Sequence, residues 1–169
     1  MNKRLARLWR HASIGQRHAR RQFTAETLSA IEQAVRACES QHAGEIRFAL
    51  EHALPLAHVW RGLTPRERAV EVFSQLRVWD TEHNNGVLIY LLLADRAVEI
   101  VADRGVAREH VPQSEWDAAC RLMEQHFRAG DFRAGALAGI AAVAQVLTKY
   151  PPRFPDVGNE MPDAPAVLG

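Results

Sequence analysis

Residues 84–105 limit the fold of this chain more than any other segment. An Asn-Asn-Gly turn at 84–86 leads into an apolar run from Val87 to Ala94 that contains no charged residue. A strand without a polar face is typical of a sheet that is covered on both sides, as in layered α/β proteins. The turn at Asp95-Arg96 and the strand-like segment 97–102 then predict an antiparallel hairpin. The segment therefore predicts a layered α/β core.

A second strand and a well-marked helix start precede the hairpin. Residues 45–51 alternate, with Ile46, Phe48 and Leu50 on one side, and predict a half-buried strand near the sheet edge. Residues 64–67, Thr-Pro-Arg-Glu, combine an N-cap threonine, a proline at the first helical position and a glutamate for a capping box. The helix that starts there connects the two strands, so a βαβ unit with parallel strands is predicted.

The spacing of apolar residues predicts further helices on both sides of this unit. They start near Thr24, Ser114 and Asp131, and the last one runs to Tyr150. The expected fold class is α/β: a three-layer sandwich in which a small mixed β-sheet, a βαββ core, is flanked by helices. The chain has 169 residues, of which 47% are hydrophobic, and it can bury such a core as one domain.

The chain is expected to have three regions. Residues 1–22 form a basic N-terminal arm, residues 23–150 form the α/β domain, and residues 151–169 form a proline-rich C-terminal tail. The tail holds five of the eight prolines, so it is expected to be extended and to lie on the surface. Within the domain, Gly135 and Gly139 predict tight packing of the last helix.

Charge is distributed unevenly along the chain. Residues 1–25 carry seven Lys or Arg residues and no acid, whereas the remaining residues carry 14 basic and 20 acidic ones, a balance of −6. Two interpretations of the arm stay open. Residues 1–22, with Leu5, Leu8, Trp9 and the arginines, contact an anionic membrane or a nucleic-acid backbone, or the arm is a solvated terminus. On both interpretations its deletion is expected to leave the stability of the domain nearly unchanged.

The location of the protein is also inferred from its apolar segments. The arm has no apolar segment after its basic residues, so it does not resemble a secretory signal. The longest apolar stretch, from Val87 to Ala94, is too short to span a bilayer. A cytoplasmic location is therefore expected. Apart from the arm, nothing in the sequence indicates nucleic-acid recognition, and nucleic acid is not an expected partner.

Short polar side chains are predicted to meet at one edge of the sheet. Two parallel strands start at the same edge, and the antiparallel strand of the hairpin ends there. Glu45, Asn84, Asn85 and Asp103 are therefore expected to converge. Their oxygens suit a hard cation, calcium or magnesium. The alternative is that the Asn-Gly and Arg-Gly pairs are only turns and that Glu45 pairs with an arginine.

Motifs of the common enzyme classes are missing from the sequence. It contains no nucleophile elbow, phosphate-binding loop, dinucleotide glycine pattern or zinc-ligand spacing. Cys38 and Cys120 lie in helical segments and are expected to be buried thiols in a reducing compartment. His110 and His126 are expected to have surface or capping roles. The sequence therefore requires no cofactor, and a calcium or magnesium ion is the candidate.

Several short motifs in a fixed order resemble one protein family. They are Ala43-Gly44-Glu45-Ile46-Arg47, Asn85 to Tyr90, Glu99 to Gly105, Trp116-Asp117 and the spacing Phe127-x-x-Gly130-x-Phe132-x-x-Gly135. In combination, over about residues 24–150, they resemble a TPM domain. The ending Gly158-Asn159-Glu160-Met161-Pro162-Asp163 is similar to that of the short bacterial members.

The resemblance implies both a fold and a set of activities. Family members have a three-layer α/β fold, and the thylakoid acid phosphatase-like proteins are linked to photosystem II repair, acid phosphatase activity and divalent-metal binding. Many bacterial members are secreted or membrane-anchored. Many also carry an acid before the Asn-Gly turn, where this chain has Asn84.

Two functional hypotheses follow from the residues and the resemblance together. The leading one is a non-enzymatic binding or maintenance module that acts near membrane proteins, with a protein partner that the sequence does not name. The alternative is a weak acid phosphatase assisted by a divalent metal. In that case Glu45, Asn84, Asn85 and Asp103 would hold the cation, which activates water and polarises phosphate.

Overall fold

The computed structural model describes residues 2–106, 111–151 and 158–169. The helices in these ranges are α1 Lys3–Ser13, α2 Gln16–Gln22, α3 Ala25–Glu39, α4 Leu56–Arg61, α5 Pro65–Gln75, α6 Gln113–Arg128 and α7 Phe132–Lys149. The strands are β1 Glu45–Glu51, β2 Gly86–Leu92, β3 Ala97–Ala102 and β4 Ala166–Leu168. His110 lies outside the described residues.

The strands form one mixed sheet in the order β3-β2-β1-β4. β1 and β2 are parallel, with Glu45 opposite Gly86, and α5 lies between them in the chain. β3 is antiparallel to β2, with Ile100 opposite Ile89. Every residue of β2 is buried, as expected of a strand that is apolar throughout. The predicted βαββ core is confirmed.

Helices cover both faces of the sheet, so the three-layer arrangement is confirmed. On one face, Phe48 and Ile89 belong to a buried cluster with residues of α3, α6 and α7. On the other face, Leu88 and Tyr90 belong to a second cluster with residues of α5. The alternation of side chains along a strand produces this division, because successive residues point to opposite faces.

The predicted helix starts agree with the capping contacts. Thr24 accepts a hydrogen bond from the Thr27 N–H, and Thr64 forms a full capping box with Glu67. Asp131 caps α7 by accepting from the Ala134 N–H. α6 starts one residue earlier than predicted, at Gln113. These side chains stabilise helix ends whose first N–H groups have no partner within the helix.

β1 differs from the prediction of a half-buried strand near the sheet edge. It has a neighbour on each side, and six of its seven residues are buried. The polar positions Glu45 and Glu51 are buried because they have partners: Glu51, for example, accepts two hydrogen bonds from Arg68. Alternation along β1 therefore reflects paired acids, not a solvent-exposed face.

The C-terminal segment is more than a surface tail. Residues 166–168 add β4 in parallel to β1, and Met161 and Asp163 are buried. The Arg47 guanidinium donates to the backbone oxygens of Pro162 and Ala164. Residues 152–157 lie outside the described residues. The proline content predicted an extended segment, and the extended residues 166–168 complete the sheet.

Candidate functional site

The backbone at the predicted polar edge converges as expected. The Glu45 N–H donates to the Asn85 oxygen at 3.1 Å, and the Asp103 N–H donates to the Gly86 oxygen at 2.9 Å. The starts of β1 and β2 therefore lie beside the end of β3. The side chains at this edge, however, belong to separate groups.

Asn84 and Asp103 both contact Arg104. Asn84 has a φ of +53°, a left-handed conformation that asparagine tolerates better than most residues. Its Oδ1 accepts from Arg104 Nε at 3.0 Å, and Asp103 Oδ1 accepts from the Arg104 N–H at 2.7 Å. Asp103 Oδ2 is buried without a hydrogen-bond partner among the described residues, and burial raises the pKa of this carboxyl. Asp103 therefore keeps one free oxygen beside a guanidinium.

Asn85 is buried and contacts the residues that precede β1. Its N–H donates to Thr81 Oγ1 at 3.1 Å, and its Nδ2 donates to the Ala43 oxygen. Its Oδ1 is buried and has no hydrogen-bond partner in the part of the chain that the structure describes. Asn85 and Asp103 thus each offer one free oxygen.

Glu45 belongs to a third group, which we call the carboxylate cluster (Glu39, Glu45 and Asp163). Glu45 Oε2 accepts from the Met161 N–H at 3.2 Å, and Asp163 Oδ2 accepts from Arg36 Nε at 2.8 Å. Burial, together with the neighbouring Glu45 and Asp163 carboxyls, raises the pKa of Glu39 to about 8. At neutral pH Glu39 therefore holds a proton, which limits repulsion within the cluster.

Gly86 lies between Glu45 and Asp103 at this edge. A Cβ at position 86 would lie 2.0 Å from the Val78 oxygen, so the backbone after α5 fills the space above Gly86. Calcium takes six to eight oxygens, whereas among the described residues the predicted ligands offer two side-chain oxygens without hydrogen-bond partners, one on Asn85 and one on Asp103. Among the described residues, no group of three or more His, Cys, Asp or Glu side chains could hold a metal ion.

These residues therefore do not fit a calcium ion as one set, and the bound cation remains a prediction. The arrangement instead fastens the C-terminal segment to α3 and β1 through the carboxylate cluster. Sequence reasoning missed Glu39 and Asp163 because it treated residues 151–169 as a tail. Met161, an apolar residue within a polar segment, was the available signal that this segment is anchored.

At the other end of β1, Glu51 forms a buried network with Arg68 and Tyr90. Arg68 donates to both carboxylate oxygens at 2.9 and 3.0 Å, and the Tyr90 hydroxyl donates to Oε2 at 2.5 Å. Burial raises the pKa of Tyr90. A cavity of about 590 Å³ next to this network is also bordered by His52 and His58. Since both carboxylate oxygens of Glu51 accept hydrogen bonds, the network is better suited to a structural role than to proton transfer.

The basic arm is docked on the domain through Asp95, in the β2–β3 turn. The Asp95 side chain is 7% exposed and accepts from Arg7 Nε and Nη2 at 2.7–3.1 Å. Arg10 Nη2 lies 3.3 Å and His11 Nε2 lies 3.2 Å from Asp95 Oδ1. Burial acts to raise the pKa of Asp95, but hydrogen bonds from His11 and Arg7 hold it well below its usual range. We call these four residues the Asp95 clamp.

His11 also connects α1 to the segment before α4. The Leu54 N–H donates to His11 Nδ1 at 2.9 Å, and His11 Nε2 lies 3.2 Å from Asp95 Oδ1 on the other side of the ring. Directly after the arm, Phe23 is buried against Phe127 and Phe132. The expectation that deletion of the arm leaves the stability of the domain nearly unchanged considered apolar side chains and overlooked the pairing of arginines with a buried acid.

Besides Arg10 of the clamp, five basic side chains of the arm are exposed when it is docked: Lys3, Arg4, Arg17, Arg20 and Arg21. Because residues 1–25 contain no acid, these charges are not offset by a neighbour within the arm. The docked arm is therefore a cationic surface fixed to the domain. In the described ranges, no helix has the length and apolar character needed to cross a membrane.

Comparison with known proteins places this geometry in a family. The family model for the TPM domain matches residues 19–146. The solution structure of the BA42 protein from the psychrophilic bacterium Bizionia argentinensis is similar, with a TM-score of 0.73 and 32% identity over 86% of this chain and 94% of that protein. No curated protein is similar enough to count as a match.

A second solved structure is similar in fold alone. It is the N-terminal domain of a protein from P. gingivalis, with a TM-score of 0.55 and 24% identity, covering 75% of this chain and 76% of that one. The resemblance that the short motifs indicate is thus confirmed over most of the chain, with α1 outside the matched residues. This chain belongs to the TPM domain family.

Proposed function

We propose that this TPM-domain protein is a binding module that works at an anionic membrane surface, with membrane proteins as its partners. The observation that carries the proposal is the docked arm, which contains no acid and carries exposed basic residues on both of its helices. The proposed location is the cytoplasmic face of a membrane. There, anionic lipid attracts a basic segment by about 1 kcal/mol for each Lys or Arg near the surface.

Docking of the arm supports this function in a second way. A flexible basic tail loses conformational freedom when it binds a surface, which reduces its affinity. Here Arg7, Arg10 and His11 hold α1 on Asp95 before any partner is present. The exposed basic residues are therefore already arranged, and less free energy is lost on binding.

Co-sedimentation with phosphatidylcholine vesicles, with and without phosphatidylserine, tests the proposal. We expect binding to require the anionic lipid and to be lost near 1 M salt, where charges are screened over about 3 Å. Replacing Arg17, Arg20 and Arg21 by Gln should weaken binding by roughly 100-fold if each contributes about 1 kcal/mol. The matched control replaces Arg121, Arg128 and Arg133, exposed on α6 and α7, and should bind as the wild type does.

The outcomes separate this function from its alternatives. Equal binding to neutral and anionic vesicles, or equal loss in the two triple variants, would contradict a specific role of the arm. No vesicle binding at low salt would reject the membrane function altogether. Binding to a polyanion such as DNA but not to vesicles would move the proposal to a different class of partner.

A second candidate function is a weak acid phosphatase assisted by a divalent metal. The observation in its favour is that two buried oxygens, Asn85 Oδ1 and Asp103 Oδ2, have no hydrogen-bond partner among the described residues. Hydrolysis of a generic phosphate ester with and without calcium or magnesium tests it. Turnover that depends on the metal and disappears in Asp103→Asn would support this candidate. Turnover at the level of buffer under all conditions would reject it.

A further inference from the structure

Two neighbouring helices expose the same pair of apolar side chains. On α1, Leu5 is 54% and Trp9 is 73% exposed, and on α4, Leu56 is 49% and Trp60 is 61% exposed. In each helix the Leu and the Trp are four residues apart, so they lie on one side of that helix. The two helices pack against each other. We call these four residues the tryptophan face.

The Asp95 clamp determines how the two halves of this face are held together. His11 accepts from the Leu54 N–H at 2.9 Å, and Arg7 Nη2 donates to the Leu63 oxygen at 2.7 Å. Leu54 and Leu63 lie on either side of α4 in the chain. Since α1 is hydrogen-bonded to both flanks of α4, the Leu5–Trp9 and Leu56–Trp60 pairs are fixed relative to each other.

The charge around the tryptophan face restricts what can cover it. Residues 1–25 and 52–66 contain no Asp or Glu, and Lys3, Arg4 and Arg61 on the two helices are exposed. These two basic segments are complementary to an anionic partner. Leu side chains offer that partner no hydrogen bond, so they suit an apolar layer beneath the charge. Trp is enriched where water and hydrocarbon meet, because its ring is apolar and its N–H is polar.

We infer that the tryptophan face is a lipid-docking surface that inserts Trp9 and Trp60 at the headgroup–acyl boundary of an anionic bilayer. This inference rests on the proposed function and adds an apolar contribution to membrane binding. The basic residues attract the anionic membrane surface, and the two Leu–Trp pairs insert into it. α4 has only six residues and α1 eleven. The fold therefore presents, as one rigid unit, an apolar surface that neither short helix could present alone.

Tryptophan substitutions distinguish insertion of the tryptophans into the bilayer from electrostatic attraction to it, because they leave every charge in place. The test variant is Trp9→Ala with Trp60→Ala, and the matched control is Trp79→Ala, whose Trp is 50% exposed in the segment between α5 and β2. In vesicles containing phosphatidylserine, we expect the double variant to bind about 10-fold more weakly or worse, since each Trp can bury about 150–250 Å². Because the changed residues are exposed, all variants should keep the wild-type melting temperature.

Fluorescence gives an independent measure of insertion. With lipids brominated on their acyl chains, emission from the Trp79→Ala protein should be quenched, because Trp9 and Trp60 reach the chains. Emission from the double variant, which retains Trp79 and Trp116, should not be quenched. Trp9→Ala and Trp60→Ala as single changes should each weaken binding, as one shared face requires.

The possible results keep the two proposals apart. If the wild type does not bind anionic vesicles, the proposed function and this inference both fail. If it binds in a salt-sensitive manner but the double variant binds as tightly as Trp79→Ala, without quenching in either, the inference alone is overturned. A protein or nucleic-acid partner that is lost in the double variant while vesicles do not bind would also overturn it, and would reassign the face.

Discussion

At the residue scale, the carboxylate cluster shows how buried acids are accommodated. Glu39 Oε1 accepts from the Ile46 N–H at 2.9 Å, and Asp163 is fastened by Arg36 and Asn159. Burial raises the pKa of Glu39 to about 8, with Glu45 and Asp163 acting in the same direction. A carboxyl that stays protonated in the folded chain and ionises in the unfolded chain makes stability depend on pH.

The sign of this dependence gives the first prediction. Below about pH 4.5 both states hold the Glu39 proton, and between pH 4.5 and about 8 only the folded state does. The contribution of Glu39 to the free energy of unfolding is therefore full at low pH and is lost as the pH rises to about 8. Glu39→Gln should become progressively more stable than the wild type over this range, as measured by urea unfolding at several pH values.

The control for this prediction is Glu26→Gln, an exposed glutamate on the same helix. Its difference from the wild type should stay small and constant with pH. A difference for Glu39→Gln that is equally flat would show that Glu39 titrates normally in the folded protein.

At the element scale, glycines decide how closely α6 and α7 approach. A Cβ at position 139 would lie 2.1 Å from Met123 Sδ, and one at position 135 would lie 2.5 Å from the Phe127 ring. α7 can therefore pack tightly only while these positions lack a side chain. The predicted tight packing of this helix is confirmed.

Gly139→Val tests this helix contact. The added methyl groups overlap Met123, so we expect a loss of about 2–3 kcal/mol in the free energy of unfolding, measured with urea. Ala141→Val, at an exposed position of the same helix, should cost about 0.5 kcal/mol, the helix-propensity difference alone. Equal losses of unfolding free energy in the two variants would mean that α6 moves away from α7 at no cost in stability.

At the scale of the whole molecule, the arm joins parts of the chain that are far apart in sequence. The Asp95 clamp connects α1 to the β2–β3 turn, while Arg7 and His11 also hold the flanks of α4. Of the seven basic residues of the arm, Arg7 and Arg10 bind Asp95, and five exposed ones lie outside the clamp. This division allows one segment to stabilise the fold and still attract an anionic surface.

Removal of the clamp acid tests the structural half of the arm. Asp95→Ala leaves the buried His11 and the Arg7 guanidinium without their carboxylate. We expect the free energy of unfolding to fall by about 2–3 kcal/mol. This is less than the full value for a buried pair because Arg10 is half exposed. Proteolysis within residues 1–22 should also become faster. Deletion of residues 1–22 should lower the melting temperature too. An unchanged melting temperature after both changes would mean that the arm is a solvated terminus. Asp80→Ala, at an exposed position, serves as the control.

Local patterns determined most of the domain. Thr24, Asp131 and the capping box at Thr64 satisfy N–H groups within one turn, so nearby residues are enough to predict these helix starts. The apolar run of β2 predicted burial on both faces, and the connection through α5 predicted a parallel pair. These features depend on neighbours in sequence, which is why the sequence predicted them.

Other features depend on partners that are distant along the chain. The burial of Glu45 requires Met161, 116 residues away, and the docking of the arm requires Asp95, 88 residues from Arg7. A charged residue looks exposed in any sequence pattern until its partner is known, because a buried charge is tolerated only when it is paired. The sequence thus determined the family, the layers and the polar strand edge, whereas only the tertiary structure decided which charges are buried pairs and which remain available for binding.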